Sequence, residues 1–284
     1  MTPGFGLALG AMVCLGLADL VFKRGAAAGV KPHHFLMAQA WCFAPAVVLY
    51  GLATGTLELK SYMLWGCGAG LFVFVALINF ARSLKTGSVS LIAPIFRLSF
   101  TVTTALAVVI LGEPLTAWKL AGLACALVAV WLLLGGESGS ASAPGAARTA
   151  LVQALVAMAA MGVANFLYKV GAAAGGTPAT FIAGQAAVFL PLSTAYAWMV
   201  DRESRPPRAA WTHAGTTAAL FLLGLVLLFE SLARGEASVL VPISQMGFVV
   251  TAAYGVLFLR EPFTVRKVGG LVFALGALAC LALT

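Results

Sequence analysis

Charge is scarce in this chain. Asp, Glu, Lys and Arg make up 9% of its 284 residues and 62% are hydrophobic, against roughly 25% charged in soluble domains. So few charges cannot cover that much apolar surface in water, which excludes a soluble domain. Histidine is scarcer still, with three copies, and no His/Cys/carboxylate cluster has metal-site spacing. His33 and His34 follow Lys31 and Pro32 in an expected loop, and His213 stands alone at a helix start. Metal ligation would need more partners than these, so neither metal nor cofactor is expected. Cys14, Cys42, Cys67, Cys125 and Cys280 sit singly inside apolar runs with no CxxC pair, which argues against a disulfide framework. A Walker loop, a GxSxG elbow and a strand-borne GxGxxG are all missing, so ATP is not expected to power the chain from within. The net charge of +8 is scattered in ones, twos and threes, without the basic tract that nucleic acid would require. No basic region precedes the first apolar run, so a cleaved signal peptide is not expected.

Long apolar runs dominate instead. Read between charged and Gly/Pro punctuation, they fall near 4–22, 34–53, 62–81, 90–111 and 118–134, then near 150–168, 179–199, 212–232, 238–259 and 266–283. Each approaches the ~20 residues that cross a hydrocarbon core of about 30 Å at a rise of about 1.5 Å per residue. Between the two sets, 135–148 is rich in Gly, Ser, Ala and Pro and reads as a flexible linker. The expectation is an all-α integral membrane protein of ten transmembrane helices: a five-helix repeat over 1–134, a linker over 135–149 and a second five-helix repeat over 150–284.

The two sets are copies. A shift of 148 carries Gly87 onto Gly235, Ser90 onto Ser238, Pro94 onto Pro242, Arg97 onto Gln245, Glu113 onto Glu261, Pro114 onto Pro262 and Lys119 onto Lys267. A shift of 146 carries Asp19 onto Asn165, Phe22 onto Tyr168, Lys23 onto Lys169, Gly25 onto Gly171, Gln39 onto Gln185 and Pro45 onto Pro191. An odd number of helices per copy makes the second copy enter the bilayer from the opposite side, so the repeats are expected to be inverted. Loop charge agrees: Lys23, Arg24, Lys31, Arg82, Lys85, Arg148, Arg202, Arg205, Arg208, Arg260, Arg266 and Lys267 fall on one side, and Lys60, Lys119, Lys169 and Arg234 on the other. Taken literally, that excess places both termini outside the cytoplasm.

Each copy has a small-residue start (Gly87-Ser-Val-Ser, Glu236-Ala-Ser-Val), a proline soon after, and an exit LGEPLT or LREPFT followed by Lys and Gly. Over nearly the whole chain this pattern resembles the EamA repeat of the drug/metabolite transporter superfamily, and the YddG-type exporters of aromatic and other amino acids look nearest. The resemblance implies a secondary transporter of small organic metabolites in a bacterial inner membrane, exporting aromatic or hydrophobic amino acids by alternating access of a central cavity. Its partners would be a small-molecule substrate and the lipid bilayer, with a coupling proton as a further candidate. Relatives that move sugars, nucleotide-sugars or drugs keep those cargoes open.

Inverted-repeat transporters bind substrate near the bilayer midplane, so polar residues inside spans are the candidates. Arg97 is foremost, because a charge at a helix centre costs about 2.5–3.5 kcal/mol on insertion scales. Ser90, Pro94, Arg97, Thr101 and Thr104 follow spacings of 4, 3, 4 and 3 and form one helical stripe, expected to face an aqueous cavity. The alternative is that Arg97 snorkels or pairs structurally with a carboxylate. Asp19 and Lys23, one turn apart, suit an ion pair at a helix end or a gating and proton-coupling role. Arg82 and Glu230 occupy equivalent places, so they either pair across a gate or cap separate helices. Gln39, Asn79, Gln185, Gln245 and Tyr168 are candidate substrate contacts, with helix-to-helix bonds as the alternative. Trp41 and Trp198 either stack on a ligand or anchor at the interface. Pro94 and Pro242 are expected to bend their helices and help switch access. The Gly66/Gly70 pair, and Gly122 and Gly270 with Ala126 and Ala274, are expected to serve close packing.

Two rival classes were weighed. A membrane-embedded lipid-modifying enzyme would gather His, Asp or Glu near one face, and the three histidines and nine acids here stand mostly in loops; no enzyme is expected. A structural subunit without a substrate would leave the intramembrane polar stripe without a use.

Overall fold

The computed structural model describes residues 4–86, 89–134, 144–201, 206–258 and 264–283, and among them all regular structure is helical. The first half gives α1 (Phe5–Ala27), α2 (Pro32–Thr54), α3 (Met63–Thr86), α4 (Val89–Arg97), α5 (Ser99–Leu111) and α6 (Ala117–Leu134). The second gives α7 (Pro144–Ala173), α8 (Pro178–Asp201), α9 (Arg208–Arg234), α10 (Ala237–Gln245), α11 (Gly247–Phe258) and α12 (Val265–Ala282). Nine segments of the described residues are long and apolar enough to cross a membrane, and Ala117–Leu133 is a shorter apolar helix. Glu261 and Pro262 lie outside the described residues.

The runs expected at 90–111 and 238–259 each prove to be two helices, joined at Leu98 (φ −69°, ψ 0°) and Met246 (φ −77°, ψ 18°). Both joints come four residues after a proline, Pro94 or Pro242. The Leu98 amide is shared between Pro94 O at 3.2 Å and Ile95 O at 3.1 Å, and the Thr101 amide takes Leu98 O at 2.9 Å. Met246 N bonds Ile243 O at 3.1 Å and Val249 N bonds Met246 O at 2.9 Å. Each span thus tightens to i→i+3 bonding for one turn between its two helices. The expected stripe is therefore interrupted: Arg97 ends α4, while Thr101 and Thr104 belong to α5. Helix α7 begins at Pro144, within the stretch expected as linker. Proline suits a first helical position and Ala146, Ala147 and Arg148 favour the turn that follows; 135–143 lie outside the described residues.

The halves interleave. Helix α1 packs on α9, α10 and α11, while its counterpart α7 packs on α3, α4 and α5; α2 meets α8 and α9, α8 also meets α3, and α6 meets α12. Small residues come in matched pairs at these crossings. A Cβ on Gly122 would lie 2.7 Å from Leu281 and one on Gly270 2.5 Å from Leu133. The start of each helix therefore meets the end of the other, and α6 and α12 run antiparallel. Likewise a Cβ on Gly25 would strike Phe35 at 2.7 Å, and one on Gly171 would strike Phe181 at 2.4 Å. Gly66 and Gly70 sit against Phe181 O and Gln185 O, which a Cβ would approach to 2.0 and 2.4 Å, so this pair seats α3 on α8.

The most telling contacts are at the two joints. A Cβ on Gly16 of α1 would lie 2.5 Å from Gly247 O, and one on Gly162 of α7 would lie 2.8 Å from Ser99 O. Gly16→Ala and Gly162→Ala are expected to destabilise the protein by about 1–3 kcal/mol each through overpacking. Gly6→Ala, where nothing lies within 4 Å, should be neutral. Thermal unfolding in detergent measures this, and equal midpoints for all three variants would refute it.

Candidate functional site

Arg97 and Asp19 meet across the bundle. The guanidinium Nη2 of Arg97, at the last position of α4, donates to Asp19 Oδ2 on α1. Their side chains keep 21% and 32% of their exposure, so both are only partly covered by the rest of the chain. The paired alternative for Arg97 is the arrangement present, and the partner of Asp19 is Arg97 rather than Lys23, which is exposed. At the equivalent places the second copy is neutral. Asn165 is buried, its Nδ2 without a hydrogen-bond partner among the described residues, and Gln245 is half-buried.

Other candidates are used locally. Thr101 Oγ1 donates to Leu98 O at 2.7 Å, filling the carbonyl at the joint, and Asn79 Nδ2 donates to Val75 O at 2.8 Å on its own helix. Tyr168 OH donates to Gln185 Oε1 in a buried pair, with the Phe181 ring 4.5 Å and the Phe229 ring 6.3 Å from that of Tyr168. Both residues are buried, Tyr168 at 2% and Gln185 at 7% exposure. The matching ring pair, Phe22 and Phe35, lies at 4.6 Å and packs with Val30, Ala38, Ala210 and Ala214; the sequence counterpart of Phe229 is Ala81. Gln39 is half-buried. Arg82 and Glu230 do not pair with each other: Arg82 Nε donates to Tyr196 OH at 3.4 Å, and Glu230 pairs with Arg234 one turn on at 2.8 Å. Pro94 and Pro242 are buried beside the joints. Trp41 and Trp198, 49% and 58% exposed, line an open groove of about 550 Å³ with Leu190, Pro191, Thr194 and Ala195, and Trp41 Nε1 donates to Thr194 Oγ1 at 3.1 Å. Both flank the outer crossing of α2 and α8, away from Asp19 and Arg97.

Three groups of contacts were not anticipated. At one end of the bundle Arg24 Nη2 donates to Tyr254 OH at 2.8 Å, tying α1 to α11. At the same end His33 and His34, expected in a loop, lie buried in the first turn of α2 and converge on Asp201 with Lys31. At the opposite end, the carboxylate of Glu113 accepts from Ala237 N and Ser238 N, both at 2.8 Å, and so caps α10 from another part of the chain. Lys169 Nζ donates to Leu232 O at 2.9 Å and Gly235 O at 2.6 Å, satisfying the end of α9. Lys119, 1% exposed at its side chain, pairs with Glu236 and donates to Pro114 O at 2.6 Å. The neighbouring α2–α3 loop is held by Thr177 Oγ1 donating to Thr56 O at 2.7 Å, and in it the hydrogen bond from Lys60 holds the Glu58 carboxyl below its usual range. The signal for the α9–α10 corner was the repeated Glu-Pro and Lys of the exit motif, but nothing local indicates that a motif at 113 serves residues at 237.

Comparison with known proteins follows the same outline. The profile of the EamA-like transporter family matches the chain twice, over residues 2–135 and 148–283. A segment of 61 residues is 39% identical to an uncharacterized protein of Methanocaldococcus jannaschii; it covers 22% of this chain and 44% of that relative. A crystal structure superposes with a TM-score of 0.83 over 99% of this chain and 96% of its own, at 18% identity, a likeness of fold.

The α9–α10 corner yields a test. Glu113→Ala leaves two buried amides at 237 and 238 without their acceptor and should cost about 1–3 kcal/mol, whereas Glu113→Gln keeps one acceptor oxygen and should cost less. Thermal midpoints in detergent give the order. A neutral Glu113→Ala would show that the cap contributes nothing.

Proposed function

The chain belongs to the EamA-like transporter family, an integral membrane transporter of small metabolites, and from that premise we propose that its cargo is an amino acid bound at the Asp19–Arg97 pair. The observation that carries this reading is that pair itself. A planar guanidinium holds a carboxylate through two hydrogen bonds, and here Arg97 already holds one, from Asp19, with partial exposure on both. A cargo carboxylate would replace that of Asp19, leaving Asp19 free to receive the cargo's ammonium group. Gln245, at the matching joint, would supply neutral hydrogen bonds. The resemblance to amino-acid exporters suggests an aromatic or hydrophobic side chain and an export direction out of a bacterial inner membrane.

The mechanism proposed is alternating access by two inverted five-helix repeats. The antiparallel α6 and α12, the matched glycine contacts and the equivalent joints at Leu98 and Met246 support it. In this conformation the end carrying the α9–α10 corner is densely tied, with residues 237–244 all buried. The corresponding part of the first copy is looser, with Ala93, Ile95 and Arg97 partly exposed. Exchange of the two packings would expose the pair to the other side. Pro94 and Pro242, which set the joints, are the proposed pivots.

Two experiments test the reading. In proteoliposomes, Arg97→Lys keeps the charge but loses the two-pronged grip and should lower amino-acid transport about tenfold, the equivalent of about 1.4 kcal/mol; Arg97→Gln should lower it further. Near-normal transport by both folded variants would return Arg97 to a purely structural role. For topology, single cysteines placed near Lys31 and Gly176 in a cysteine-free background should label from opposite sides of the membrane. Labelling of both from one side would rule out inversion.

A further inference from the structure

Lys31, His33, His34 and Asp201 form a cluster that the transport reading does not use. Lys31 Nζ lies 2.7 Å, His33 Nε2 2.9 Å and His34 Nε2 3.5 Å from the same oxygen, Oδ2 of Asp201. The imidazoles belong to the first turn of α2 and Asp201 ends α8, so residues 168 and 167 positions apart in sequence meet at one point. The imidazoles are nearly buried, with 10% and 6% of their side chains exposed, Asp201 keeps 18%, and Lys31 keeps 59%. One ligand atom from each of His33, His34 and Asp201 falls within 4.8 Å of the others. Behind His33 a water-sized cavity is walled by Leu36, Phe74, Leu77, Ile78 and Phe189, with Ser193 and Tyr196 as its polar members, which gives the cluster a mostly apolar backing.

We infer that His33, His34 and Asp201 form a site for a transition-metal dication of the zinc class. Two imidazole nitrogens and one carboxylate oxygen are the donor set of an open zinc site, with water as the fourth ligand, and imidazole selects such metals over Mg²⁺ and Ca²⁺, which prefer oxygen. Tetrahedral zinc bonds of about 2.0–2.2 Å place donor atoms about 3.3–3.6 Å apart; the 2.9 Å and 3.5 Å separations of His33 Nε2 and His34 Nε2 from Asp201 Oδ2 lie within a few tenths of an ångström of that range, within reach of side-chain rotation. Lys31 acts as the internal competitor. Its ammonium neutralises Asp201 without metal, and its exposed stem lets it withdraw into water when a dication arrives. A bound ion clamps the start of α2 to the end of α8, helices from different halves that also flank Tyr196, the partner of Arg82. Metal is thereby expected to hold the conformation in which the cluster is assembled and to slow turnover.

The test uses the full chain in detergent, titrated with Zn²⁺ by calorimetry, with Mg²⁺ as the comparison ion. Saturable binding of one Zn²⁺ is expected, weakened at least tenfold by Asp201→Asn or His34→Gln and unchanged by Mg²⁺. Lys31→Gln removes no ligand and should tighten binding several-fold, an outcome that a merely structural cluster would not produce. No saturable binding below about 1 mM, a free energy of about −4 kcal/mol, overturns the inference. Equal affinity in Asp201→Asn, or no tightening in Lys31→Gln, overturns it as well, and the Lys31 variant decides the matter should the ligand variants fail to fold.

Discussion

Wherever hydrocarbon surrounds a backbone, its polar groups must be satisfied by the chain itself, and this chain breaks two of its spans. The joints at Leu98 and Met246 would leave carbonyls and amides facing lipid were they on the outside of the bundle. They are inside it, each pressed against a glycine of the other half, Gly16 on Gly247 and Gly162 on Ser99. Thr103 Oγ1 adds a hydrogen bond to Gly162 O at 2.9 Å, and Thr101 Oγ1 completes Leu98 O at 2.7 Å. The first helix of each half must therefore lie on the broken span of the other. Once those two crossings are set, α9 follows α1 and α3 follows α7, and the halves have no arrangement in which each folds into a separate bundle.

That interleaving places the functional asymmetry. Two copies with identical sequences would give two equivalent packings, each the mirror of the other in its direction of access, with equal free energies. Differences between the copies bias that balance. Phe229 fills the space between Tyr168 and Phe181, with ring centroids at 6.3 and 5.2 Å, whereas its sequence counterpart in the first copy is Ala81, which has no ring, and the Phe22–Phe35 pair packs on Val30, Ala38, Ala210 and Ala214 instead. Tyr168 and Gln185 bond to each other, whereas their counterparts Phe22 and Gln39 lack the hydroxyl that would let them do so. The heavier packing belongs to the α9–α10 corner, where residues 237–244 are all buried.

Much of this was legible in the sequence because hydropathy is a local property. The runs at 4–22, 34–53, 62–81 and 266–283 correspond to α1, α2, α3 and α12 within a few residues, except that α1 and α3 continue five residues further than their apolar stretches. The chain continues helical through Lys23, Arg24, Arg82 and Ser83 because a helix may pass into the interface with its charges outward. The two joints were half legible. Pro94 and Pro242 announce a missing amide, but the turn comes at Leu98 and Met246, where the glycine crossing decides it. The Asp19–Arg97 pair and the Glu113 cap were not legible, since their partners lie 78 and 124 residues away and nothing periodic links them. The same holds for His33 and His34, whose third partner, Asp201, arrives only when α2 packs on α8.

The copies also separate architecture from cargo. Positions that the two halves share serve the frame: Gly16 and Gly162 seat the joints, Gly122 and Gly270 seat α6 against α12, and Thr116 and Thr264 accept the amides of Lys119 and Lys267 at 3.2 and 3.3 Å. Glu113 and Lys169, each repeated in the other half, satisfy helix ends at the α9–α10 corner. A residue required by the frame in both copies has little freedom to choose a substrate. The freedom lies where the copies differ near the joints, and there the difference is one of charge: Asp19 against Asn165, Arg97 against Gln245. A carboxylate and a guanidinium stand on one side of the pseudo-symmetric centre and two amides on the other. On the reading proposed above, that distribution would suit a cargo bearing one positive and one negative group on a neutral body, and would disfavour a sugar, which has no charge to offer the pair, or a dianion, which Asp19 would repel.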